Sequence, residues 1–571
     1  MKVLGLFDWH NCGAALVDGL EVTAAVEEER LSRRKVDFGL PLHSMDAVLT
    51  AAGAAAEDLD AIAVCGIYDP TPVVRWRPER FAFERSVGAK WRLQYRLWTA
   101  YYALRGIPPF RVAERIANRR ILDRQLGRWP SRPADVPFEL VDHHLCHARL
   151  GYHGSGFDHA LIFVVDGSGD GYSTALYRGR GGELEFLAGA SEKASLGKFY
   201  ANASLGLGFQ KLTGEGKVMG LAADGDPAPY RRRAKAVLHV EDPERLKLRH
   251  RKDLLGNGWA LEVRRDAERY RREDIAAAVQ AHFEDVLAEI VGHHVERRGV
   301  GQVVLVGGAA MNVKANQRLR ELPGVRELFV PPAMTDAGVA AGAALDVAWR
   351  RAKKPPPRRR QKHSYLGPGY GDDQILAAIR SRGLEDRAER FPDVDAEVGR
   401  RVASGQIVAR FTGRLEHGPR ALGHRSILAL ASDPTVEERL NSRLGRDEFM
   451  PFAPAIQEEH AARYLDDYTY SPFMVETFDV KPEYRDRFPA VVHTDGTLRP
   501  QVVRRSVAPG FWRVIEAVGE RTGDYLVLNT SFNLHGEPIV CSPEDALRSF
   551  GRGAADALAL GPWLLEAEDQ P

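Results

Sequence analysis

Three consecutive prolines set in a run of charge, Lys353-Lys354-Pro355-Pro356-Pro357-Arg358-Arg359-Arg360-Gln361-Lys362, constrain this chain more than any other stretch. Proline has no backbone N–H to give a helix or a strand ladder, and its ring fixes φ. The run therefore reads as an exposed linker. It divides the 571 residues into a first part, 1–352, and a second, 363–571. Each part is long enough for one large domain or two small ones. With 44% hydrophobic residues both can bury a core, and a net charge of +1 gives no global pull toward nucleic acid or membrane. The four cysteines, Cys12, Cys65, Cys146 and Cys541, form no Cys-x-x-Cys pair. That usage fits a reducing cytoplasm rather than a disulfide framework or a cysteine zinc site. The opening Met1 to Asp8 is too short and too soon acidic for a signal peptide, and no run of about 18 apolar residues offers a membrane span.

The first part repeats one grammar, an apolar strand that ends in a glycine-rich turn. Val3 to Phe7 is followed by His10-Asn11-Cys12-Gly13, and Ala14 to Val17 turns at Asp18-Gly19. Ala160 to Val165 ends in Asp166-Gly167-Ser168-Gly169-Asp170-Gly171, and Val303 to Val306 ends in Gly307-Gly308. Ile275 to Arg298 has the period and length of a helix. Strands with glycine turns interleaved with helices predict an α/β domain that holds a nucleotide at its turns. No exact short-period repeat is visible. In the second part Ile407 to Phe411, Tyr525 to Leu528 and Ala557 to Leu560 read as strands, with polar clusters at their ends.

Residues 72–133 depart from this pattern. They hold fifteen Lys/Arg against four Asp/Glu, and Trp91, Tyr95, Trp98 and Tyr102 fall at helical spacing. The plain reading is a helical insert packed on its own domain, with its arginines in solvent. An acceptor-recognition lid and a surface for anionic lipid or nucleic acid are the alternatives.

Asp142-His143-His144-Leu145-Cys146-His147 places His143 and His147 four apart, on one helical face, where both can grip one metal. His144 stands where a zinc-protease motif needs Glu, which argues against that reading. Asp166 and Asp336 are plausible oxygen ligands. Two histidines with two carboxylates suit iron, manganese or zinc. Lys217, in Gly214-Glu215-Gly216-Lys217-Val218-Met219-Gly220, lies in a turn able to cradle phosphate, though without full Walker A spacing. Gly307 and Gly308 let a nucleotide approach the backbone, and Asn312 can bond to it. Gly413 to Ser426 packs three arginines, Arg414, Arg420 and Arg425, and two histidines into 14 residues. Arginine matches phosphate by bidentate hydrogen bonds. Asn529-Thr530-Ser531-Phe532-Asn533, after a strand, can orient a planar amide or a phosphate.

Together these segments resemble the NodU/CmcH family of carbamoyltransferases, which includes tobramycin, cephamycin and nodulation-factor enzymes. The resemblance rests on seven pieces in family order. They are Glu27 to Lys35, the His143/His147 motif, Gly216 to Ala222, Gly307-Gly308 with Asn312 to Asn316, Gly418 to Ser426, Pro451 to Pro454, and Leu528 to Asn533 with Gly536 to Ile539. It implies an α/β chain with an N-terminal domain on the actin-like ATPase fold (Kae/TsaD-like, as in tRNA threonylcarbamoyl transferases) and a C-terminal YrdC-like domain. It implies iron(II) held by His143, His147, Asp166 and Asp336. It implies an adenylate site at Lys35, Lys217, Gly307, Gly308 and Asn312, and a carbamoyl phosphate and ATP site at Arg420, Arg499, Asn529 and Ser531, with Arg425 in the same basic loop. His10 matches a position near the acceptor. The chain departs from the tobramycin-type pattern in His10-Asn11-Cys12-Gly13 and before Pro451. There Met450 replaces an arginine, leaving Arg443 and Arg446 as candidates to replace it.

The activity so implied is O-carbamoyl transfer. ATP with magnesium and carbamoyl phosphate are the co-substrates, and a small-molecule hydroxyl is the acceptor. The expected setting is cytoplasmic, without nucleic acid or a membrane span, and a homodimer is allowed. Two rivals share part of this pattern. A threonylcarbamoyl-type tRNA modification enzyme would bind tRNA with steep salt dependence. A non-catalytic nucleotide-binding regulator would need neither the arginine loop nor the metal cluster.

Overall fold

The structure is a computed structural model that describes residues 1–78, 101, 104–105, 107–210, 212–251, 257–352, 359–445 and 452–567. The aromatic stripe from Trp91 to Tyr102, most of the proline linker, Arg446 and Met450 lie outside the described residues. The chain forms two compact units. The first comprises Met1–Glu28 and Val36–Arg360, the second Glu29–Lys35 and Gln361–Pro571. A seven-residue stretch of the N-terminal sequence thus belongs to the second unit, which a single boundary at the linker does not anticipate.

The first unit is built on two five-stranded mixed sheets. One contains β1 (Lys2–Phe7), β2 (Gly13–Asp18), β3 (Glu21–Glu27), β4 (Leu59–Cys65) and β5 (Phe138–Val141), in the order β3-β2-β1-β4-β5. The other contains β6 (His159–Gly169), β7 (Tyr172–Arg180), β8 (Glu183–Ser191), β11 (Gln302–Val306) and β12 (Glu327–Phe329). A separate hairpin of β9 (Leu238–Asp242) and β10 (Lys247–His250) falls in sequence between β8 and β11. The second sheet runs β12-β11-β6-β7-β8. Read from the other edge, its order and strand directions repeat those of the first: two antiparallel pairings, then two parallel ones. This duplicated order is that of the actin-like ATPase fold. It is a repeat of topology, and so it escapes a search for repeated sequence. Val3, Leu4, Leu6, Ile162, Phe163 and Val164 are all fully buried, which explains the unbroken apolar runs. The helix Val339–Arg351 packs on β1, β2 and β4 and also on the helix His143–Ser155.

The second unit carries one eight-stranded mixed sheet. Its strands are β13 (Glu389–Arg390), β14 (Val408–Phe411), β15 (Arg425–Ala429), β16 (Ala453–Gln457), β19 (Gln501–Val503), β20 (Leu526–Ser531), β21 (Ala557–Leu560) and β22 (Trp563–Glu566). The order is β13-β22-β21-β14-β15-β20-β16-β19, and β17 (Phe478–Asp479) with β18 (Thr497–Leu498) makes a separate small ribbon. Both faces of the large sheet are covered. Leu526 and Leu528 join one apolar cluster and Val527 the other, and Ile427 and Leu428 divide in the same way. That is the two-residue period of a strand. Among the described residues no helix is long and apolar enough to cross a membrane, and all four cysteines are buried thiols outside any disulfide.

Candidate functional site

Four side chains of the first unit meet at one point. His143 and His147 lie one turn apart on the helix His143–Ser155, which Asp142 caps by accepting from the Leu145 N–H at 2.9 Å. Asp166 lies near the end of β6, and Asp336 opens a short turn before the helix Val339–Arg351. One donor atom from each of the four lies within 4.8 Å of the others, and all four residues are buried. His143 Nε2 is 3.2 Å from Asp166 Oδ2, and His147 Nε2 is 3.2 Å from Asp336 Oδ1. Burial opposes the Asp166 charge, but the hydrogen bond from His143 and the imidazoles around it hold that carboxyl well below the usual carboxylate range.

The donor set fits a divalent metal. Two imidazole nitrogens and two carboxylate oxygens converge where nothing bulkier has room. A Cβ on Gly169 would stand 2.2 Å from His143 Cδ2. His143 Nδ1 faces Cys65 Sγ at 3.7 Å, and the Gly308 N–H donates to Asp166 Oδ1 at 3.0 Å, so partners outside the cluster orient two of its members. His10 is at the rim, its Nδ1 3.4 Å from Asp336 Oδ2. The third histidine, His144, is fully buried outside the four, and burial together with the His143 charge pushes it down to about 3.

The nucleotide positions divide. Gly307 has φ 97°, and a Cβ there would stand 2.3 Å from the Val165 carbonyl, so only glycine permits this turn at the end of β11, against β6. Lys217 is half-buried in the first turns of the helix Glu215–Ala222. Asn312 already has protein partners. It caps the helix Val313–Arg320 and trades two amide hydrogen bonds with Gln280, each 2.9 Å. Lys35 lies in an exposed turn grouped with the second unit, away in chain grouping from the rest of its expected set.

In the second unit Arg420 and Arg499 are close enough for the charge of one to act on the other. Burial pulls Arg420 down to about 10. Burial, and then the Arg420 charge, holds Arg499 well below its ordinary value. Neither has an acidic partner among the described residues, and Arg499 Nε is buried without a hydrogen bond. Two such like charges call for an anion. Asn529 and Ser531 project from one face of β20, two residues apart. Asn529 donates to Gln501 Oε1 at 2.9 Å and leaves its own Oδ1 buried and unpartnered, while Ser531 donates to Asn533 Oδ1 at 2.6 Å. Arg425 is engaged with its own loop. Its guanidinium lies 3.6 Å over the Phe411 ring and donates to the carbonyls of Thr412, Gly413 and His424, so it ties down the loop. Arg443, a candidate to replace the arginine missing at Met450, is paired with Asp556 at 2.5 Å.

Gln501, Cys65 and Asp170 were missed by sequence reasoning. Asp170 stood in view in the same glycine-rich turn as Asp166. Nothing in the spacing tells which of two aspartates turns toward the histidines.

Residues 131–345 match the family described as carbamoyltransferase N-terminus, and residues 399–567 match carbamoyltransferase C-terminus. Both parts are therefore transferase domains. Nodulation protein NolNO of Sinorhizobium fredii is 34% identical over 566 residues, covering 98% of this chain and 79% of its own length. Uncharacterized protein MJ1051 of Methanocaldococcus jannaschii is 31% identical over 584 residues, covering 99% of each chain. Full-length HypF in its phosphate- and nucleotide-bound form aligns at 12% identity and TM-score 0.36, over 62% of this chain and 47% of that one. The chain belongs to the carbamoyltransferase family and is an enzyme of that class.

Proposed function

We propose that the second unit makes carbamoyl adenylate from carbamoyl phosphate and ATP, and that the first passes the carbamoyl group to a hydroxyl of a small-molecule acceptor. The observation that carries this is the buried, acid-free pair Arg420 and Arg499, with the Asn529 amide donating to the carbonyl of Ala421, the residue after Arg420. A buried double cation suits a dianionic phosphate, and an amide carbonyl suits a carbamoyl NH2. On this reading the second unit is YrdC-like.

The chemistry runs in three steps. Water cleaves carbamoyl phosphate to carbamate and inorganic phosphate. A carbamate oxygen then attacks the α-phosphorus of ATP, which enters as its magnesium complex, and pyrophosphate leaves. Arg420 and Arg499 stabilise the charge that gathers on the transferring oxygens. Last, the acceptor oxygen attacks the carbamoyl carbon and AMP leaves, with His10 taking the hydroxyl proton. Bound at His143, His147, Asp166 and Asp336, a divalent metal such as iron(II) would supply Lewis acidity toward a carbonyl or phosphoryl oxygen.

The test is phosphate and pyrophosphate release from ATP plus carbamoyl phosphate, without acceptor, in wild type and in Arg420→Ala. Both products should require carbamoyl phosphate. The variant should lose them by a factor on the order of 100 or more, the usual weight of one transition-state donor. Equal release in the variant would remove the arginine pair from the chemistry.

A further inference from the structure

Asp170 lies four residues after Asp166 and is no ligand. It is 4% exposed, with φ 48°, a left-handed conformation uncommon for aspartate. Its carboxylate accepts four backbone N–H groups. Three come from one loop: Ile67 at 2.9 Å, Tyr68 at 2.6 Å and Asp69 at 2.9 Å. The fourth is the N–H of His143 itself, at 2.9 Å. The backbone of one metal-ligand candidate is thus tied, through a single carboxylate, to the loop Ile67–Asp69. The tie is reciprocal, because the Asp170 N–H donates to Asp69 Oδ2 at 2.8 Å.

That loop is held in turn by the basic insert. Arg105, 8% exposed, forks onto Asp69 with 3.0 and 3.2 Å contacts and donates to the Tyr68 carbonyl at 2.5 Å. Its Nε and Nη2 also reach Glu114, which is itself 4% exposed on the helix Pro108–Leu126. From the same helix the fully buried Asn118 donates to the Ile67 carbonyl at 3.0 Å. The loop therefore has the insert on one side and Asp170 on the other, through hydrogen bonds that are buried or partly buried, most of them charge-assisted.

We propose that Arg105 is a positioning residue for the metal cluster. It acts through Asp69 and Asp170 to hold His143 in place, so that the insert is part of the machinery of the first unit and not only a packed appendage. The inference rests on the metal reading of His143, His147, Asp166 and Asp336. Partners beyond the ligands themselves typically contribute 10- to 100-fold in metal affinity.

Cobalt(II) titration of the metal-stripped full-length protein, followed by the visible absorption of the bound ion, separates the two claims. His147→Ala should abolish tight binding. Arg105→Ala should weaken it about 10-fold or more and alter the absorption band. Arg105→Lys, which keeps the charge and loses the fork, should fall between. Arg115→Ala, an exposed change on the helix Pro108–Leu126, should bind as wild type does. A merely structural part for Arg105 would lower the thermal midpoint and leave the affinity and band of the folded fraction alone. If Arg105→Ala does not fold, Arg105→Lys and Asn118→Ala carry the same comparison. Wild-type cobalt affinity in the Arg105 variants, with His147→Ala impaired, would overturn the relay. Wild-type affinity in His147→Ala would overturn the metal cluster itself.

Discussion

Glu192 is 6% exposed beside the first unit's site, and its Oε2 has no hydrogen-bond partner. Burial lifts its carboxyl from an ordinary 4.5 to about 7; the Asp69 charge adds to the lift, and Lys198, Arg105 and Lys193 oppose it. The folded chain therefore holds this proton more firmly than the unfolded chain. The resulting stability is fully present below pH 4.5 and is lost as pH rises through about 7, on the order of 3 kcal/mol in all. Glu192→Gln cannot ionise. Urea denaturation should find the variant gaining on wild type between pH 4.5 and 7.5; a constant difference across that range would sink the assignment. At this scale the sequence was partly legible. The four-residue spacing of His143 and His147 announces a shared face, whereas Asp166 and Asp336 were oxygen candidates whose place in the set came from the resemblance. That Asn312 pairs with Gln280 could not be foreseen, because the two lie 32 residues apart on different elements. The carbonyl contacts of Arg425 were likewise hidden, because an arginine in a basic loop looks the same on paper whether it faces phosphate or its own backbone carbonyls.

Between elements, the cluster depends on two helices that touch. A Cβ on Gly342, in the helix Val339–Arg351, would stand 2.0 Å from the carbonyl of Cys146, the residue before His147. The atom in the way is backbone, so relief requires the helices to part. Gly342→Ala should destabilise the first unit by about 1–3 kcal/mol, the usual cost of overpacking. It should also draw the segment that carries Asp336 away from the two histidines. Denaturant midpoints measure the first effect and cobalt titration the second; a variant unchanged in both would show the contact to be slack. Strands were easier to foresee than this. Runs such as Leu161 to Val165 are apolar throughout because both faces of their sheet are covered. Helix-to-helix distance leaves no such trace, since one glycine among several small residues gives no hint of what it touches.

For the molecule as a whole, the stretch Glu29–Lys35 matters most. Although it is near the N-terminus, Arg33 donates to the carbonyls of Ile539 at 2.6 Å and Pro538 at 2.7 Å, and Arg30 donates to that of Gly418 at 3.1 Å. Arg33→Ala should therefore loosen the region around residues 538–545 by roughly 1–3 kcal/mol per carbonyl left without a donor. Hydrogen exchange should show faster exchange there, with β1 and β2 unchanged. Equal protection at 538–545 would mean that the stretch contributes nothing to the unit it is grouped with. The proline linker made the two-part plan readable, and it also hid this exception, because composition marks where a chain is exposed and not where it returns.

A chain threaded in this way has a bearing on descent. Had the halves met only at residues 353–362, one crossover there could have joined any first half to any second. With residues 29–35 lodged in the far half, such a hybrid would bring a finger shaped for the wrong glove. Functional recombinants should need matched breakpoints on both sides of that short stretch, and the two halves should pass down a lineage as a pair.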